Sequence, residues 1–479
     1  MTEKLGKITE NTFYLTVAYI FQKILAFIYF ALLARFLGAS QVGQYVFALS
    51  FTTIFSVFID FGLSPVLTRE IAKNKEKASN YLSNVVSLKI FFSLIIYFLV
   101  FVLINLLNYP FTTRLLVYLA GLVMVLDSFT LSFYAVLRGF QTLKYEAIGT
   151  MVYQIIVVSL GGIFLLLKFP LFSFILVIVS ASLFNFLFSF FILYKNKKVK
   201  IYFSLNKKII SFLFKIALPF AIAGIFIRIY SYIDSVLLSK LAGSTAVGLY
   251  SVAYKLTFAF QFIPAAFGAS IFPAFSYFYA YSKEKLQQTF EKAVRYLVML
   301  ALPLTGGIFV LADKFILTLY GQEYFPSIIP LRILICVLIF VFLNYPLGSI
   351  LNACDKQGIN TRNIGLAMVI NVVLNFVLIP RYSFIGSSIA ALVSYSFLTF
   401  ISIFYVTKTI SYDKIGLIKY FLKCLLATLI ISFLIFSLKK YISFILLIIP
   451  AIAIYFSLLY LFKAIRKEDI YFLKRVFRK

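Results

Sequence analysis

The sequence contains no histidine and no tryptophan, only three cysteines, and 16 Asp and Glu among 479 residues. Each shortage narrows the function classes. Without histidine there is no His proton relay. Without tryptophan, any membrane-interface belt must be built from Tyr and Phe. Cys336, Cys354 and Cys424 lie in or beside apolar runs with no paired spacing. That pattern argues against a disulfide and against a metal site. Charged residues make up 13% of the chain and hydrophobic ones 63%, with a mean hydropathy of +1.01. A water-soluble fold of this length has too little interior to hide so much apolar surface.

What is present is a succession of apolar runs of about 20 residues, the length of helix that crosses hydrocarbon. The pattern predicts an all-α polytopic membrane protein of about 14 spans, near 11–34, 43–67, 84–107, 114–137, 148–167, 170–193, 213–238, 245–275, 294–312, 328–353, 363–379, 384–407, 417–437 and 441–462. The start, "MTEKLGKITE", is polar and mixed in charge, and the first span has no cleavage-site pattern, so no signal peptide is expected. The net charge of +29 does not point to nucleic acid, because the basic residues form no domain and sit in short loops. With the N-terminus inside, the even-numbered loops and both termini carry 32 Lys and Arg, and the odd-numbered loops eight. This bias predicts cytoplasmic N- and C-termini in the cell membrane.

Topology leaves five basic residues unexplained: Lys23, Lys89, Arg228, Lys255 and Arg332. Lys23 stands within "YIFQKILAFIYFALL" (19–33), where a charge costs at least ~2.5 kcal/mol. Snorkelling explains it poorly, because the apolar run continues on both sides. Lys255, in "VAYKLTF", is also deep, and Arg332 opens its span. The carboxylates available inside spans are Asp127, Asp234 and Asp60, as ion-coupling groups or counter-ions. Asp60, toward a span end, reads best as a structural counter-ion.

An internal repeat organises these charges. "RFLGASQVGQY" (35–45) matches "KLAGSTAVGLY" (240–250) at an offset of 205, which carries Lys23 onto Arg228. The copies are six spans apart, hence parallel, as in transporters whose halves rock about a central cavity. The expected division is an N-terminal lobe at 1–194, a basic cytoplasmic linker at 195–212, a second lobe at 213–409, and two extra helices with a basic tail at 410–479. Two mid-membrane cations facing one cavity call for an anionic partner. Lys23 and Arg228 are therefore the leading substrate contacts, with Lys255 and Arg332 beside them.

"DFGLSPVLTREIA" (60–72), "LRGFQTLKYEAIG" (137–149), "IFPAFS" (271–276), "LYGQEYFPSIIPLRIL" (319–334) and "NVVLNFVLIPRYSFIGSSIAALVSY" (371–395) resemble the polysaccharide-transporter family. This family holds the Wzx-type O-antigen flippases within the multidrug/oligosaccharidyl-lipid/polysaccharide exporter superfamily. One departure is Ser383, where the family usually has glycine; little consequence is expected. The resemblance implies a MATE-like fold and a flippase that moves a polyprenyl-pyrophosphate-linked oligosaccharide to the outer leaflet. It implies no cofactor and no metal. Coupling is left open between a proton or sodium gradient acting through Asp127 or Asp234 and flipping drawn by downstream use. Expected partners are the lipid-linked oligosaccharide and membrane lipids, with no nucleic acid. The protein is expected as a monomer, with a glycan polymerase or other assembly proteins as candidate neighbours.

Three rivals stay open at this point. A peptidoglycan-precursor flippase is separated poorly by sequence. A multidrug cation antiporter should have an acidic or aromatic interior, unlike this one. A membrane glycosyltransferase or polymerase needs acidic outer loops, and here the acids are limited to Asp313 and Glu323.

Overall fold

The computed structural model of the protein describes residues 2–197, 199–439 and 441–464, with side chains from residue 14 onward apart from 196 and 445. The basic tail at 465–479 and Lys440 lie outside the described residues. In chain order the helices are α1 (Thr2–Asp60), α2 (Leu63–Lys73), α3 (Ala78–Leu106), α4 (Phe111–Gly139), α5 (Lys144–Leu166), α6 (Leu171–Lys197), α7 (Lys207–Phe258), α8 (Phe262–Tyr281), α9 (Lys283–Val310), α10 (Ala312–Tyr320), α11 (Ile328–Ala353), α12 (Gln357–Thr409), α13 (Lys414–Leu438) and α14 (Phe444–Leu461). The fold is all-α and belongs to a multi-pass membrane protein. Among the described residues ten helical segments are long and apolar enough to cross a membrane.

Three helices are more than twice as long as the hydrocarbon is thick. The 47 residues of Tyr14–Asp60 would extend ~70 Å if straight, against about 30 Å of hydrocarbon. Each of the three breaks at one residue: Gly38 (φ 75°, ψ 171°), Gly243 (φ 85°, ψ 173°) and Ser383 (φ 49°, ψ −132°). The chain doubles back there. Tyr250 Oη donates to Asp234 Oδ2 at 2.7 Å although 16 residues separate them, a spacing of ~24 Å along a straight helix. Tyr45 and Tyr29, their equivalents under the repeat, also lie close together. A Cβ on Gly386 would overlap the Leu378 carbonyl, and Ser387 Oγ donates to Asn375 Oδ1 at 2.7 Å. The predicted spans leave loops of several residues at these sites, 35–42, 239–244 and 380–383. A single glycine with φ near +80° replaces the loop, since only glycine takes this conformation at no steric cost.

Ser383 is the exception, and the expectation of little consequence there is corrected. Its backbone lies in a region that side chains avoid, at a cost of order 1–3 kcal/mol. Ser383→Gly should remove that strain and, after the entropy lost to glycine, stabilise the protein by about 1 kcal/mol. Thermal unfolding in detergent checks this: an upward shift of roughly 1–2 °C is expected, and a downward shift would remove the argument.

The chain forms two compact units: Met1–Ser251 with Val372–Ser387, and Val252–Asn371 with Ser388–Lys479. The first packs Leu63, Val66 and Leu67 of α2 against Leu82 and Val85 of α3, Phe133 to Leu137 of α4 and Leu213 of α7. In the second, Val298 and Leu302 of α9 meet Cys424 and Ile431 of α13 and Tyr455 of α14. Tyr455 Oη donates to the Met299 carbonyl at 3.0 Å. The expected linker 195–212 is shorter than expected. Lys195 and Lys197 complete α6, and α7 begins at Lys207, because lysine is a good helix former whose head can stay in water.

Candidate functional site

The first unit encloses a cavity of about 390 Å³, in the range of small-molecule sites. Three helix faces build it. From α1 come Leu49, Thr52, Thr53, Ser56 and Asp60, with 52, 56 and 60 at four-residue spacing on one face. From α4 come Ala120, Met124, Asp127 and Leu131, and from α7 Phe220, Gly224, Arg228 and Tyr232. Gly224 lets α7 approach α1: an added Cβ would stand 3.1 Å from Val57.

The three hydroxyls of α1 are already committed as donors. Thr52 Oγ1 donates to the Ala48 carbonyl (3.0 Å), Thr53 Oγ1 to Leu49 (2.6 Å) and Ser56 Oγ to Thr53 (2.7 Å). Their oxygens remain as acceptors, suited to the hydroxyl groups of a sugar.

Asp60 and Arg228 do not balance each other. Asp60 pairs with Lys89 of α3, whose Nζ lies 2.6 Å from Asp60 Oδ1 and 2.8 Å from the Ser128 carbonyl. Ser64 Oγ adds a further hydrogen bond to the same carboxylate. Lys89 is completely buried, so its charge depends on Asp60. The pair cancels itself within the wall, and the other charged residues of the lining are Arg228 and Asp127. Lys89 is one of the five cations that topology leaves unexplained, and the signal for its role lies in the sequence, since a buried ammonium requires a carboxylate. Asp60→Ala should therefore destabilise the protein by about 3–5 kcal/mol by orphaning that ammonium. Asp60→Ala with Lys89→Met should recover most of the loss in the same unfolding assay. A double variant no more stable than Asp60→Ala would contradict the pairing.

The other expected site residues lie elsewhere. Lys23 is exposed on α1 and does not line the cavity. Asp234 is buried (4% exposed) and accepts from Tyr250 Oη and, at 2.8 Å, from Asn375 Nδ2, which ties the turn of α7 to α12. Lys255 and Arg332 belong to the second unit. Lys255 is exposed near the end of α7. The Arg332 guanidinium stands 5.9 Å from the ring of Phe309, and its Nε is buried without an acceptor among the described residues. The structure thus brings Arg228, Asp127 and Asp60 together and leaves Lys23, Asp234, Lys255 and Arg332 outside this cavity. Among the described residues no cluster of three or more Cys, Asp or Glu could hold a metal ion.

The repeat is realised as a close helix crossing at the Gly38 and Gly243 ends. A Cβ on Gly43 would overlap the Ser244 carbonyl, and one on Gly248 the Ala39 carbonyl. These contacts are equivalent under the offset of 205. Ala39/Gly43 and Ser244/Gly248 are small residues four apart, the pattern that lets helix backbones touch. Ser40 Oγ and Ser244 Oγ lie 3.2 Å apart across the crossing.

The polysaccharide biosynthesis protein profile matches residues 8–279, more than half of the chain. The chain belongs to this family. The MatE profile matches residues 219–377. The chain is 25% identical over 460 residues to the probable low-salt glycan biosynthesis flippase of Haloferax volcanii, covering 94% of each protein. It is 25% identical over 417 residues to the capsular polysaccharide biosynthesis protein CapF of Staphylococcus aureus, covering 84% of this chain and 99% of that one. Among solved structures, the lipid II flippase MurJ in an inward closed conformation superposes with a TM-score of 0.79 at 17% identity, covering 94% of this chain and 98% of that one. An inward-facing multidrug resistance MATE transporter of the MOP superfamily gives a TM-score of 0.66 at 14% identity, covering 81% and 95%. These two likenesses establish the MATE-like fold.

Proposed function

We propose that this family member is a flippase for a lipid-linked oligosaccharide, which it carries from the cytoplasmic to the outer leaflet of the cell membrane by alternating access. The observation that carries the reading is a cavity whose wall offers one guanidinium and a row of acceptor oxygens, in a chain whose relatives include a named glycan flippase. A pyrophosphate suits the guanidinium, which can grip two oxygens at once. The sugar hydroxyls suit Thr52, Thr53 and Ser56, while the polyprenyl tail stays in the bilayer. Lys23, the counterpart of Arg228 under the repeat, serves as a second phosphate contact along the path. Asp127 is the candidate for coupling to a proton or sodium gradient, because it lines the same cavity.

The reading takes the three hairpins as two crossings each, which with Leu446–Leu461 makes about 14, and places both termini in the cytoplasm. Contacts between loops support that topology. Lys240 Nζ donates to the Leu107 carbonyl at 2.9 Å, and Lys439 pairs with Asp313 at 3.0 Å; all four positions belong to the expected outer side. Lys200 N donates to Ser79 Oγ at 3.1 Å and Asp413 N to Glu291 Oε1 at 2.8 Å, all on the expected inner side. In this reading, lobes 1–194 and 213–409 rock against one another.

Native mass spectrometry of protein purified in mild detergent tests the substrate. A retained mass equal to a polyprenyl pyrophosphate plus several sugars is expected, and it should be depleted in Arg228→Ala. Retention of a peptide-bearing disaccharide lipid would move the function to the peptidoglycan-precursor reading.

A further inference from the structure

The segment between α6 and α7 is clipped along α3. Alternate backbone N–H groups donate to side chains of that helix: Lys200 N to Ser79 Oγ (3.1 Å), Tyr202 N to Ser83 Oγ (3.2 Å), Ser204 N to Ser87 Oγ (2.9 Å) and Asn206 N to Asn84 Oδ1 (2.7 Å). Two residues of extended chain advance ~6.6 Å and four residues of helix ~6 Å, so serines at 79, 83 and 87 keep step with 200, 202 and 204. Asn206 then caps α7, its Oδ1 accepting from Lys208 N at 3.0 Å.

Pinned in this way, the strap presents Tyr202, Phe203 and Leu205 outward, at 50%, 67% and 42% exposure. The Phe203 ring meets Phe91 edge-on at 6.1 Å. Phe91 belongs to an exposed apolar row on α3 with Ile90, Leu94, Ile95 and Phe98, the outer surface of a membrane span. The strap therefore lies where that span leaves the hydrocarbon. Lys195, Lys200, Lys207 and Lys208 are exposed around it, and Lys197 is half-buried beside it. Lys75 and Lys144 crowd Lys197: burial first, and then these two charges, hold its ammonium below the usual lysine range. No ion pair joins any of these lysines to a carboxylate among the described residues.

We infer that the strap is a docking site for anionic phospholipid, with Tyr202, Phe203 and Leu205 seated at the acyl-chain boundary and the surrounding lysines on the headgroup phosphates. The charge complements an anionic headgroup, and no carboxylate among the described residues pairs with it. The apolar residues continue a surface that lipid already covers, and aromatic side chains favour the interface. The hydrogen bonds to α3 fix the strap beforehand, so lipid binding loses little of the ordering entropy that a free loop would forfeit. The inference does not depend on what the protein transports.

The chain's lack of tryptophan supplies the test. Phe203→Trp gives one indole, read by fluorescence after reconstitution into phosphatidylcholine vesicles containing a quarter phosphatidylglycerol. Bromine is carried on the chains of one lipid or the other. Brominated phosphatidylglycerol should quench several times more than its mole fraction predicts. Replacing Lys197, Lys200, Lys207 and Lys208 by Gln should weaken that preference about tenfold or more. Replacing Lys283, Lys285, Lys414 and Lys419, exposed in the other unit, should leave it unchanged. Quenching by both lipids in simple proportion to abundance would overturn the inference, as would no quenching at all. Loss of the preference on adding inorganic phosphate would reassign the lysines to a soluble anion.

Discussion

Arg228→Ala is expected to lower transport about a hundredfold or more while the protein still folds and reaches the membrane. Among the described residues Arg228 is the one basic residue on the cavity wall, set at four-residue spacing from Gly224 and Tyr232 so that all three face inward. Losing a forked, charge-assisted contact to phosphate in a partly enclosed site costs about 2–5 kcal/mol, or some thirtyfold to several thousandfold in binding. Arg228→Lys keeps the charge and loses the fork, so it should be impaired less. A purely structural Arg228, there to balance Asp127, behaves differently. In that case Arg228→Ala would fail through instability, and adding Asp127→Ala would rescue it. Transport by Arg228→Ala within twofold of the parent would remove Arg228 from the site.

A disulfide joining cysteines at positions 40 and 244 is expected to stop transport until it is reduced. The repeat alone suggests Thr245 as the partner of Ser40, because those two are equivalent; the structure places Ser244 opposite instead. Residues that meet across a pseudo-twofold need not be equivalents, as Gly43 on Ser244 and Ala39 on Gly248 illustrate. The two Oγ atoms lie 3.2 Å apart, so cysteine sulfurs at these positions start close to bonding reach. If the lobes rock, this crossing must open to release the sugar, and a covalent bridge holds it shut. The experiment replaces Cys336, Cys354 and Cys424 first, then compares Ser40→Cys with Ser244→Cys, each single variant and the reduced pair. Full transport with the bridge demonstrably formed would rule out opening at this crossing.

Much of the fold was legible because a membrane imposes it. Backbone groups in hydrocarbon must be bonded internally, so apolar runs of the right length become helices. Gly38 and Gly243 were visible as a repeat, and the structure adds their purpose, one-residue chain reversals with φ near +80°. Ser383 concealed the third reversal, since no hydropathy scale reports a backbone angle. Arg228, Asp127 and Asp60 stood out as charges in apolar context, and all three reach the cavity. Lys23 stood out equally and does not, because the offset of 205 relates positions along the chain and not their surroundings. The Lys89–Asp60 pair spans 29 residues and depends on how α1 and α3 rotate against each other, which composition does not encode. The row Thr52, Ser56 and Asp60 is readable in the sequence as a polar helix face at four-residue spacing. The "LRGFQTLKYEAIG" motif is now a clamp: Arg138 holds Glu146 with bonds of 2.8 and 2.5 Å, and Tyr19 Oη adds one of 2.9 Å.

Reconstituted flipping of a polyprenyl-pyrophosphate oligosaccharide is the measurement that bears most directly on the account. Vesicles carry a fluorescent oligosaccharide lipid in both leaflets, and an impermeant reductant added outside destroys the label it can reach. With the parent protein, the protected half should also be lost as lipids exchange leaflets; with Arg228→Ala or the oxidised 40–244 bridge, about half should persist, as in protein-free vesicles. Protection equal to that of empty vesicles in the presence of folded parent protein, with a proton or sodium gradient imposed in either direction, would contradict the account.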